Sequence, residues 1–244
     1  MERKRVCPKC GKEIIYKKKS RYEEALINNS VCGNCNRYHK GEGGYNTSNQ
    51  PKYNLSNLFN DSLISYYWIG FILADGSFYK NRFELSVASI DKDHLLKFQQ
   101  YINGPDVVYR YKTKSYRLQF SNKYSIEEFM KKYQFNYNKT YNPINNNFID
   151  TLTTKQKIAL LIGIIDGDGS IQCNSSVNSR IISITAHKNW INFYIHLIPH
   201  WHIKEVKNTN CITCKLFKRT EINKLLNFSK EYQLPILLRK WKKI

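Results

Sequence analysis

The chain has 244 residues, 41% of them hydrophobic, and a formal net charge of +20 at pH 7. This length allows more than one domain, and the excess of lysine and arginine is typical of proteins that neutralise phosphates. Neither of the two apolar helical runs is expected to span a membrane, because both are far shorter than the ~20 residues that a bilayer requires.

The N-terminus indicates an intracellular protein without a signal peptide. The segment from Met1 to Val6 is charged and leads directly into Cys7, with no apolar stretch before it. In a reducing compartment, cysteines serve as metal ligands or free thiols more often than as disulfides. The cysteines are therefore expected to be metal ligands or free thiols rather than disulfides.

Two Cys-x-x-Cys turns, separated by 21 residues, predict a structural zinc site formed by Cys7, Cys10, Cys32 and Cys35. The segment resembles a zinc ribbon. It is too small to fold on its own apolar content, so Zn²⁺ would supply its fold. Free cysteines or a redox pair are the alternatives. Nearby His39 is interpreted as a surface or phosphate-contacting residue, because four cysteines already complete a tetrahedral shell.

The composition divides the chain into five segments. They are a zinc-ribbon-like domain at 1–40, an extended linker at 41–60, a first repeat at 61–133, an Asn-rich connector at 134–152 and a second repeat at 153–244. The linker is rich in Gly, Asn and Ser and has no periodicity, which predicts an extended chain rather than a packed domain.

Two apolar runs, residues 68–76 and 161–169, end in the same Asp-Gly signature and define a repeat with an offset of 93 residues. Each run carries two small residues one helical turn apart, and these are Gly70 and Ala74 in the first run and Gly163 and Gly167 in the second. Small residues at this spacing let two helix backbones approach closely. The two runs are therefore predicted to be helices that pack against each other.

Such packing would bring Asp75 and Asp168 together at one end of the helix pair. Two carboxylates at one point attract a divalent metal, or else one of them must hold a proton. Gly76 and Gly169 are expected to end the helices in a left-handed conformation. The alternative is a pair of ordinary core helices with Asp caps.

Each motif is followed by alternating segments of similar length. The first repeat is predicted to contain a helix ending at 74, a strand 82–88, a helix 91–102, strands 107–112 and 115–120, and a helix from 125 to about 133. The second is predicted to contain a helix 154–167, a strand 180–187, a helix 188–198, strands 203–207 and 211–218, and a helix 221–228. The two series correspond element by element.

These motifs and the elements that follow them resemble the LAGLIDADG family of homing endonucleases, in its form with two motifs in one chain. The resemblance covers about residue 61 to the C-terminus. It implies an α+β fold of two pseudo-symmetric αββαββα repeats with DNA-binding antiparallel sheets. It also implies intron homing by a site-specific double-strand DNA endonuclease that cuts a long asymmetric target and leaves 3′ overhangs.

The resemblance carries catalytic roles onto particular residues of this chain. Asp75 and Asp168 match the acidic position that binds Mg²⁺ and positions a water against one phosphodiester strand each. The family places a basic residue near each site, after the last strand of the repeat. Lys123 and Lys218 are the candidates for that role.

Asp166 is the acidic residue of the second motif that has no partner in the first. Its counterpart there is Leu73. Asp166 is therefore interpreted as a cap or a secondary residue rather than as a metal ligand.

The strands are the predicted DNA-reading surface, because a two-stranded ribbon fits the major groove and its outward side chains reach base edges. The outward positions offer both donors and acceptors, and the candidate DNA contacts are Arg82, Glu84, Ser86, Arg110, Lys112, Arg117, Gln119, Ser183, Thr185 and Lys215. The alternative for any one of these residues is a solvated sheet face.

A second Cys-x-x-Cys, Cys211 to Cys214, is not predicted to bind zinc. It lies in a run that alternates like a strand, so its two side chains point to opposite faces. Buried free thiols are the preferred interpretation for both, and Cys173 has no assigned role.

Two other functions stay open beside the endonuclease. An RNA maturase that binds intron RNA on the same scaffold is one, and a catalytically silent DNA-binding regulator is the other. Retention of both acidic residues favours the enzyme over the regulator. Because both motifs lie in one chain, a monomer bound to double-stranded DNA is expected.

Overall fold

The structure, a computed structural model, describes residues 3–35, 53–174 and 179–242. Its N-terminal module consists of strands β1 (Arg3–Val6) and β2 (Glu13–Tyr16), which pair antiparallel, and helix α1 (Lys19–Ile27). The predictions for His39 and for the linker up to residue 52 lie outside the described residues.

The first α-helix of the first repeat is α2 (Leu63–Asp75), which Ser62 caps by accepting a hydrogen bond from the Ser65 amide. The remaining elements are β3 (Gly76–Tyr79), β4 (Arg82–Ala88), α3 (Lys92–Tyr101), β5 (Val108–Arg110), β6 (Ser115–Ser121) and α4 (Lys123–Lys132). Its four strands form one antiparallel sheet in the order β3-β4-β6-β5.

The second repeat has the same series of elements. After a short helix α5 (Asn146–Thr151) in the connector come α6 (Thr154–Asp168), β7 (Gly169–Asn174), β8 (Ser179–His187), α7 (Ile191–Leu197), β9 (His202–Glu205), β10 (Cys211–Leu216), α8 (Arg219–Glu231) and α9 (Leu238–Trp241). The sheet order β7-β8-β10-β9 reproduces that of the first repeat. The predicted α+β class with antiparallel sheets is thus confirmed.

Helices α2 and α6 pack together at the centre of the molecule, as the small residues predict. A Cβ atom on Gly70 would lie 2.0 Å from the Leu160 carbonyl oxygen, and one on Gly163 would lie 2.0 Å from that of Tyr67. Each glycine therefore lies directly against the backbone of the other helix. Neither position has room for any larger residue without separation of the helices.

The prediction that Gly76 and Gly169 adopt a left-handed conformation is wrong. Gly76 has φ −73° and ψ 150°, and Gly169 has φ −80° and ψ 156°, both extended. The chain passes from helix straight into strand, and a Cβ would lie 2.6 Å from the Ile72 carbonyl oxygen at Gly76 and 2.5 Å from that of Ile165 at Gly169. Glycine is required there by this close approach and not by positive φ.

Both sheets bury one face against helices and leave the other open. Phe83, Leu85 and Val87 of β4 are buried while the residues between them are not, and β10 alternates in the same way. The helices of each repeat pack on the buried face, so one core runs through α2, α6 and both sheets. Because the other face of each sheet carries no helix in the described residues, it is available to a ligand.

The predicted linker 41–60 ends earlier than expected. Leu55 and Leu58 are fully buried in the core of the first repeat, the Leu55 amide donates to Ser125 Oγ at 2.8 Å, and Tyr133 Oη donates to the Leu58 carbonyl. Residues 53–60 therefore belong to the first repeat rather than to an extended segment.

The element boundaries differ from the predicted ones mainly where short turns interrupt a helix or strand. A 3₁₀ turn, Ser89–Asp91, precedes α3, and another, Lys188–Trp190, precedes α7. The predicted strand 107–112 ends at Arg110, so Lys112 lies in a third 3₁₀ turn. In the described part of the chain, no helix is long and apolar enough to cross a bilayer.

Candidate active site

The two motif carboxylates lie at the shared end of the central helix pair. Asp75 is the last residue of α2 and Asp168 the last of α6. A Cβ on Gly167 would lie 2.3 Å from Ala74 Cβ and 3.3 Å from Asp75 Oδ2, so the Asp75 carboxylate reaches across to the second motif. The structure thus brings the two acidic residues together, where the sequence placed them.

The surroundings of these carboxylates disfavour two negative charges. Burial, reinforced by the charge of Asp168, raises the pKa of Asp75 to about 6. The packing around its carboxyl group also raises the pKa of Asp168, although that residue as a whole is exposed. A divalent cation between them would relieve the repulsion, so the donor set fits a hard metal such as Mg²⁺.

Lys139 and Lys240 are the basic side chains that the structure brings to this end. Lys139 Nζ donates to the carbonyl oxygens of Leu73 and Ala74, both at 2.5 Å, at the C-terminus of α2. Lys240 Nζ lies among four carbonyl oxygens of residues 165–169 at 2.6–3.1 Å, at the C-terminus of α6. A cation at a helix C-terminus is stabilised by the helix dipole. Both also lower the pKa of Asp75, against the effect of burial.

Lys123 and Lys218, the basic residues suggested by the sequence, are not brought to the carboxylates. Lys123 is in the first turn of α4, where it pairs with Glu127 at 3.8 Å, and Lys218 directly precedes α8. Neither is among the charged groups that shift the pKa of Asp75 or Asp168. The structure replaces them as candidates by Lys139 and Lys240.

Asp166 is buried and anchors the C-terminal segment. Its carboxylate accepts hydrogen bonds from Tyr67 Oη at 2.6 Å, the Leu237 amide at 2.8 Å and Trp241 Nε1 at 2.6 Å. Burial nevertheless raises its pKa to about 6. Because two of the three donors flank Lys240, Asp166 fixes the segment that carries this lysine, which agrees with a secondary rather than a metal-binding role.

The open face of the first sheet carries most of the candidate DNA contacts. Glu84 lies opposite Gln119 and Ser86 opposite Arg117, so these side chains share the face turned away from the core. The Arg117 guanidinium donates to the Glu84 carboxylate at 3.0 Å. Arg82 and Arg110 lie on the same face, whereas Lys112 is exposed in the turn after β5.

The open face of the second sheet is less charged. Ser183 lies opposite Lys215 and Thr185 opposite Thr213, on the face turned away from the core. Between this sheet and the connector, a cavity of about 460 Å³ opens beside Asp168 and Lys139, and Thr185 also lines it. Asp168 therefore lies in a cleft that reaches Thr185 of the open sheet, and Asp75 lies at the neighbouring helix end.

The comparison with known proteins agrees with this geometry. Residues 62–134 match the family described as LAGLIDADG-like domain. Among solved structures, the LAGLIDADG homing endonuclease I-LtrWI bound to target DNA is similar, with 17% identity, a TM-score of 0.50, and coverage of 70% of this chain and 84% of that one. I-SmaMI bound to an uncleaved DNA target in the presence of calcium ions has 13% identity, a TM-score of 0.49, and coverage of 69% and 84%. No curated protein matches this chain in sequence.

The fold is that of the LAGLIDADG homing endonucleases.

Within that fold, the two central helices of this chain differ in character at the buried position two residues before their last aspartate. The second has Asp166 where the first has Leu73, and both side chains are buried. The acidic residues at the helix ends, Asp75 and Asp168, are present in both. Both helices thus end in an aspartate, but two residues earlier one helix has a buried leucine and the other a buried aspartate.

The four N-terminal cysteines form the one cluster of possible metal ligands with three or more members in the described residues. The Sγ atoms of Cys7, Cys10, Cys32 and Cys35 all lie within 4.8 Å of one another, and Cys10 Sγ and Cys32 Sγ are 3.7 Å apart. Tetrahedral zinc with Zn–S distances of ~2.3 Å requires sulfurs ~3.8 Å apart. Although burial opposes it, backbone hydrogen bonds led by that of Cys32 lower the pKa of Cys7 to about 6. The donor set fits one Zn²⁺.

Within the described residues, the other three cysteines do not form a second site. Cys214 is buried in the core, and burial raises its pKa to about 12, whereas Cys211 lies on the opposite face of β10. This agrees with the expected separation of the pair, but the interpretation of both as buried thiols is correct for Cys214 only, because Cys211 is partly exposed. Cys173 is exposed on β7.

Sequence reasoning missed the two lysines and the groups that hold them. Lys139 and Lys240 lie in segments without periodicity, seven residues after α4 and nine residues after α8 ends. Their one shared signal is this position beyond the helix that follows the last strand of each repeat, α4 or α8, although Lys240 itself lies in the short helix α9. This position indicates a role only once the structure shows that both segments fold back against the ends of α2 and α6.

Proposed function

We propose that the chain is a metal-dependent, site-specific endonuclease that cuts both strands of duplex DNA. The observation that carries the proposal is the pair of carboxylates, Asp75 and Asp168, at the common end of two packed LAGLIDADG helices between two open sheets. DNA-bound relatives of the same fold support it. Each carboxylate would serve one strand across the minor groove, which leaves short 3′ overhangs.

Asp75 and Asp168 would hold Mg²⁺, which when bound supplies Lewis-acid polarisation of the phosphate and lowers the pKa of a water nucleophile. The carboxylates orient that water toward the phosphorus atom. Lys139 and Lys240 place positive charge beside the cleft, where it stabilises the charge that develops on the phosphate oxygens. The packed helices hold both carboxylates in place, so little reorganisation accompanies the reaction.

The open sheets are the proposed specificity surface, since an antiparallel ribbon fits the major groove of B-form DNA. Duplex RNA has a deep, narrow major groove that such a ribbon cannot enter. This geometry favours a DNA target over an RNA maturase role. Both carboxylates are retained, which favours an enzyme over a silent regulator.

Cleavage of a plasmid library with randomised sites tests the proposal. We expect wild-type protein with Mg²⁺ to linearise a subset of plasmids, and Asp75→Asn or Asp168→Asn to cut both strands at least about a thousandfold more slowly. Either variant should keep DNA binding and nick one strand. Asp106→Asn, which changes an exposed aspartate outside the cleft, is the matched control and should cut normally. Full double-strand cutting by both cleft variants would refute the assignment.

The two half-sites of the target are proposed to differ. At corresponding positions, the first sheet offers Glu84 and Ser86 where the second offers Ser183 and Thr185. A monomer with unlike halves should prefer an asymmetric site, whereas a homodimer imposes two-fold symmetry on its DNA. The mass of the complex and cleavage of each half-site duplicated as a palindrome test this. A 2:1 complex on a palindrome would refute it.

The cysteine cluster is proposed to hold one structural zinc. Elemental analysis should find one zinc per chain, lost when Cys7 and Cys10 are both changed to serine. Cys173→Ser with Cys211→Ser is the matched control and should keep the metal, because these residues lie outside the cluster. Zinc in equal amount in both double variants would contradict the site.

A further inference from the structure

The N-terminal module, defined as residues 3–35, is docked on the first repeat rather than separated from it. The Asn28 side chain donates to the Tyr109 carbonyl oxygen at 3.3 Å and accepts from the Tyr109 amide at 3.0 Å. The Glu23 carboxylate of the module also lies close enough to the Tyr111 hydroxyl to raise its pKa. Asn28 thus pairs with the open edge of β5 as a neighbouring strand would, and it fixes the position of the module.

The docking site is the outer edge of the first sheet. In the order β3-β4-β6-β5, strand β3 begins at Gly76, directly after Asp75, and β5 is the strand farthest from it. Three strand spacings of ~4.8 Å place β5 about 14 Å from β3. The module therefore lies beyond the end of the sheet, on the side away from the carboxylates.

The module is strongly basic. Residues 3–35 carry nine lysine and arginine side chains and three acidic ones, a formal charge of +6. Lys4 pairs with Glu13 and Lys19 with Glu23. Lys17, Lys18 and Arg21 are exposed around the start of α1. Such a charge on a docked body that continues a DNA-reading sheet is complementary to the phosphates of the same duplex.

The second repeat has no equivalent extension in the described residues. Its outer strand, β9, corresponds to β5 in the sheet order, and it pairs with β10 on one side only. In the described residues, the outer edge of the first sheet thus carries a basic module and the outer edge of the second sheet does not. A duplex that lies along both sheets would meet additional positive charge at one end.

We propose that the N-terminal module binds the phosphate backbone of the DNA flank next to the half-site read by the first sheet, so that the protein contacts its DNA farther on that side than on the other. This inference rests on the proposed function in that the first sheet lies on DNA. A compact body of 33 residues is about 20 Å across. At 3.4 Å per base pair, the added contact spans about six base pairs.

Salt dependence of binding to a 40-base-pair duplex of arbitrary sequence tests the phosphate contacts without any need for cleavage. Binding is measured in Ca²⁺ and without chelator, so that zinc is retained. The Lys17→Gln/Lys18→Gln/Arg21→Gln variant should bind more weakly, with a slope of log K against log salt smaller by about two to three. An unchanged slope would overturn the proposal.

The matched control removes three exposed lysines from helices on the buried side of the sheets, as Lys97→Gln/Lys131→Gln/Lys230→Gln. It has the same net charge as the module variant, and its slope should equal that of the wild type. An equal fall in both variants would mean that only total charge matters, which overturns the proposal. Zinc content is measured on each variant to establish that the module is folded.

Hydroxyl-radical footprints on a site recovered from the cleavage library test the asymmetry. Wild-type protein should protect one flank about six base pairs farther than the other, and the module variant should lose that excess. Asn28→Ala should lose it as well while it keeps its zinc, because the module is no longer fixed to β5. Flanks of equal length in the wild type, or full protection by Asn28→Ala, would overturn the inference.

The two readouts separate this inference from the proposed function. If no library DNA is cut and the salt slope still falls in the module variant, the endonuclease proposal fails and the module contact stands. If DNA is cut and neither slope nor footprint depends on the module, the endonuclease proposal stands and this inference fails.

Discussion

Lys139 and Lys240 lie at corresponding helix ends in the two halves of the molecule, but the segments that carry them are anchored by different interactions. The first lies on the carbonyl oxygens at the end of α2, and the second on those at the end of α6. Trp190 Nε1 donates to the Lys139 carbonyl at 3.1 Å, whereas Arg239, next to Lys240, forms a bidentate ion pair with Asp91 at 2.5 and 2.6 Å. In both cases the anchor comes from the other repeat.

Asp91 and Trp190 are equivalent positions. Each ends the 3₁₀ turn that follows the second strand of its sheet, and α3 and α7 begin at the next residue. The same structural position therefore fastens the opposite lysine segment, by charge in one case and by an indole N–H in the other. The two repeats therefore use the same structural position as the anchor but place different residue types there.

The environments behind the two helix ends differ in the same way. Asp166 is hydrogen-bonded by Tyr67, and Tyr67 Oη is 2.9 Å from His94 Nε2. At the corresponding positions in the other half, the chain has Leu73, Leu160 and Phe193, all buried. One half thus has a polar cluster where the other is apolar. A buried carboxylate requires donors, so the three positions are expected to vary together.

The largest expected effect comes from making the second half resemble the first at Asp166 alone. Asp166→Leu leaves Tyr67 Oη, Trp241 Nε1 and the Leu237 amide without their acceptor in the core. We expect the free energy of unfolding to fall by about 3–5 kcal/mol. Chemical denaturation of the zinc-loaded protein measures it.

Completing the substitution should recover part of that loss. In Asp166→Leu/Tyr67→Leu/His94→Phe, the unpaired hydroxyl and imidazole are removed together with the carboxylate, so the triple variant should be more stable than Asp166→Leu. Asp106→Asn, at an exposed site, should stay within about 0.5 kcal/mol of the wild type. If the triple variant is the less stable one, the three positions are not coupled.

The lysines are the next comparison. Lys139→Met and Lys240→Met should each slow cleavage by about a hundredfold to a thousandfold, because each removes positive charge beside the carboxylates. Lys240 is buried against four carbonyl oxygens, whereas Lys139 is half-buried against two. Only Lys240→Met should therefore also lower stability by about 1–3 kcal/mol. Single-turnover rates and denaturation midpoints measure both effects.

Lys123→Met and Lys218→Met serve as the matched controls for that experiment. Both residues are lysines near the end of a strand, but neither shifts the pKa of Asp75 or Asp168. We expect their turnover to stay near that of the wild type. Rates that fall as far in these controls as in Lys139→Met would return the basic role to the residues suggested by the sequence.

The two lysine pairs illustrate which features of this chain can be predicted from the sequence: those set by local spacing can, and those set by long-range contacts cannot. The helix pairing, the meeting of Asp75 and Asp168 and the buried face of β4 follow from local spacing, which the sequence displays. Strand β3 has only four residues and follows its helix without a turn, so alternation alone cannot reveal it. The lysine sites depend on contacts between residues more than 60 positions apart, for which spacing provides no signal.

Substitutions at the two anchor positions, Trp190 and Asp91, are expected to change stability and cleavage rate less than those of the lysines. Trp190→Phe removes two hydrogen bonds, to the Lys139 and Thr140 carbonyl oxygens, and Asp91→Asn weakens the ion pair with Arg239. Each should cost about 1–2 kcal/mol of stability and slow cleavage by about tenfold. If each anchor acts through the lysine it holds, the Trp190→Phe defect should disappear in a Lys139→Met background. Additive rate losses in that double variant would mean that the anchor acts independently of the lysine.

The smallest effect concerns pH and distinguishes Asp75 from a simple exposed carboxylate. Burial and Asp168 raise the pKa of Asp75 from 3.8 to about 6, so its ionisation in the metal-free protein costs stability as pH rises through that range. Below about pH 6, cation binding must displace this proton. The affinity for Ca²⁺ should therefore rise up to about tenfold per pH unit between pH 5 and 6 and level off above pH 7. Calorimetric titration at pH 5, 6, 7 and 8 measures this affinity, with zinc content checked at each pH.

The Asp75→Asn variant is the control for this pH dependence. It should bind Ca²⁺ more weakly and lose most of the pH dependence. Equal wild-type affinity at pH 5 and 8 would mean that Asp75 is ionised throughout.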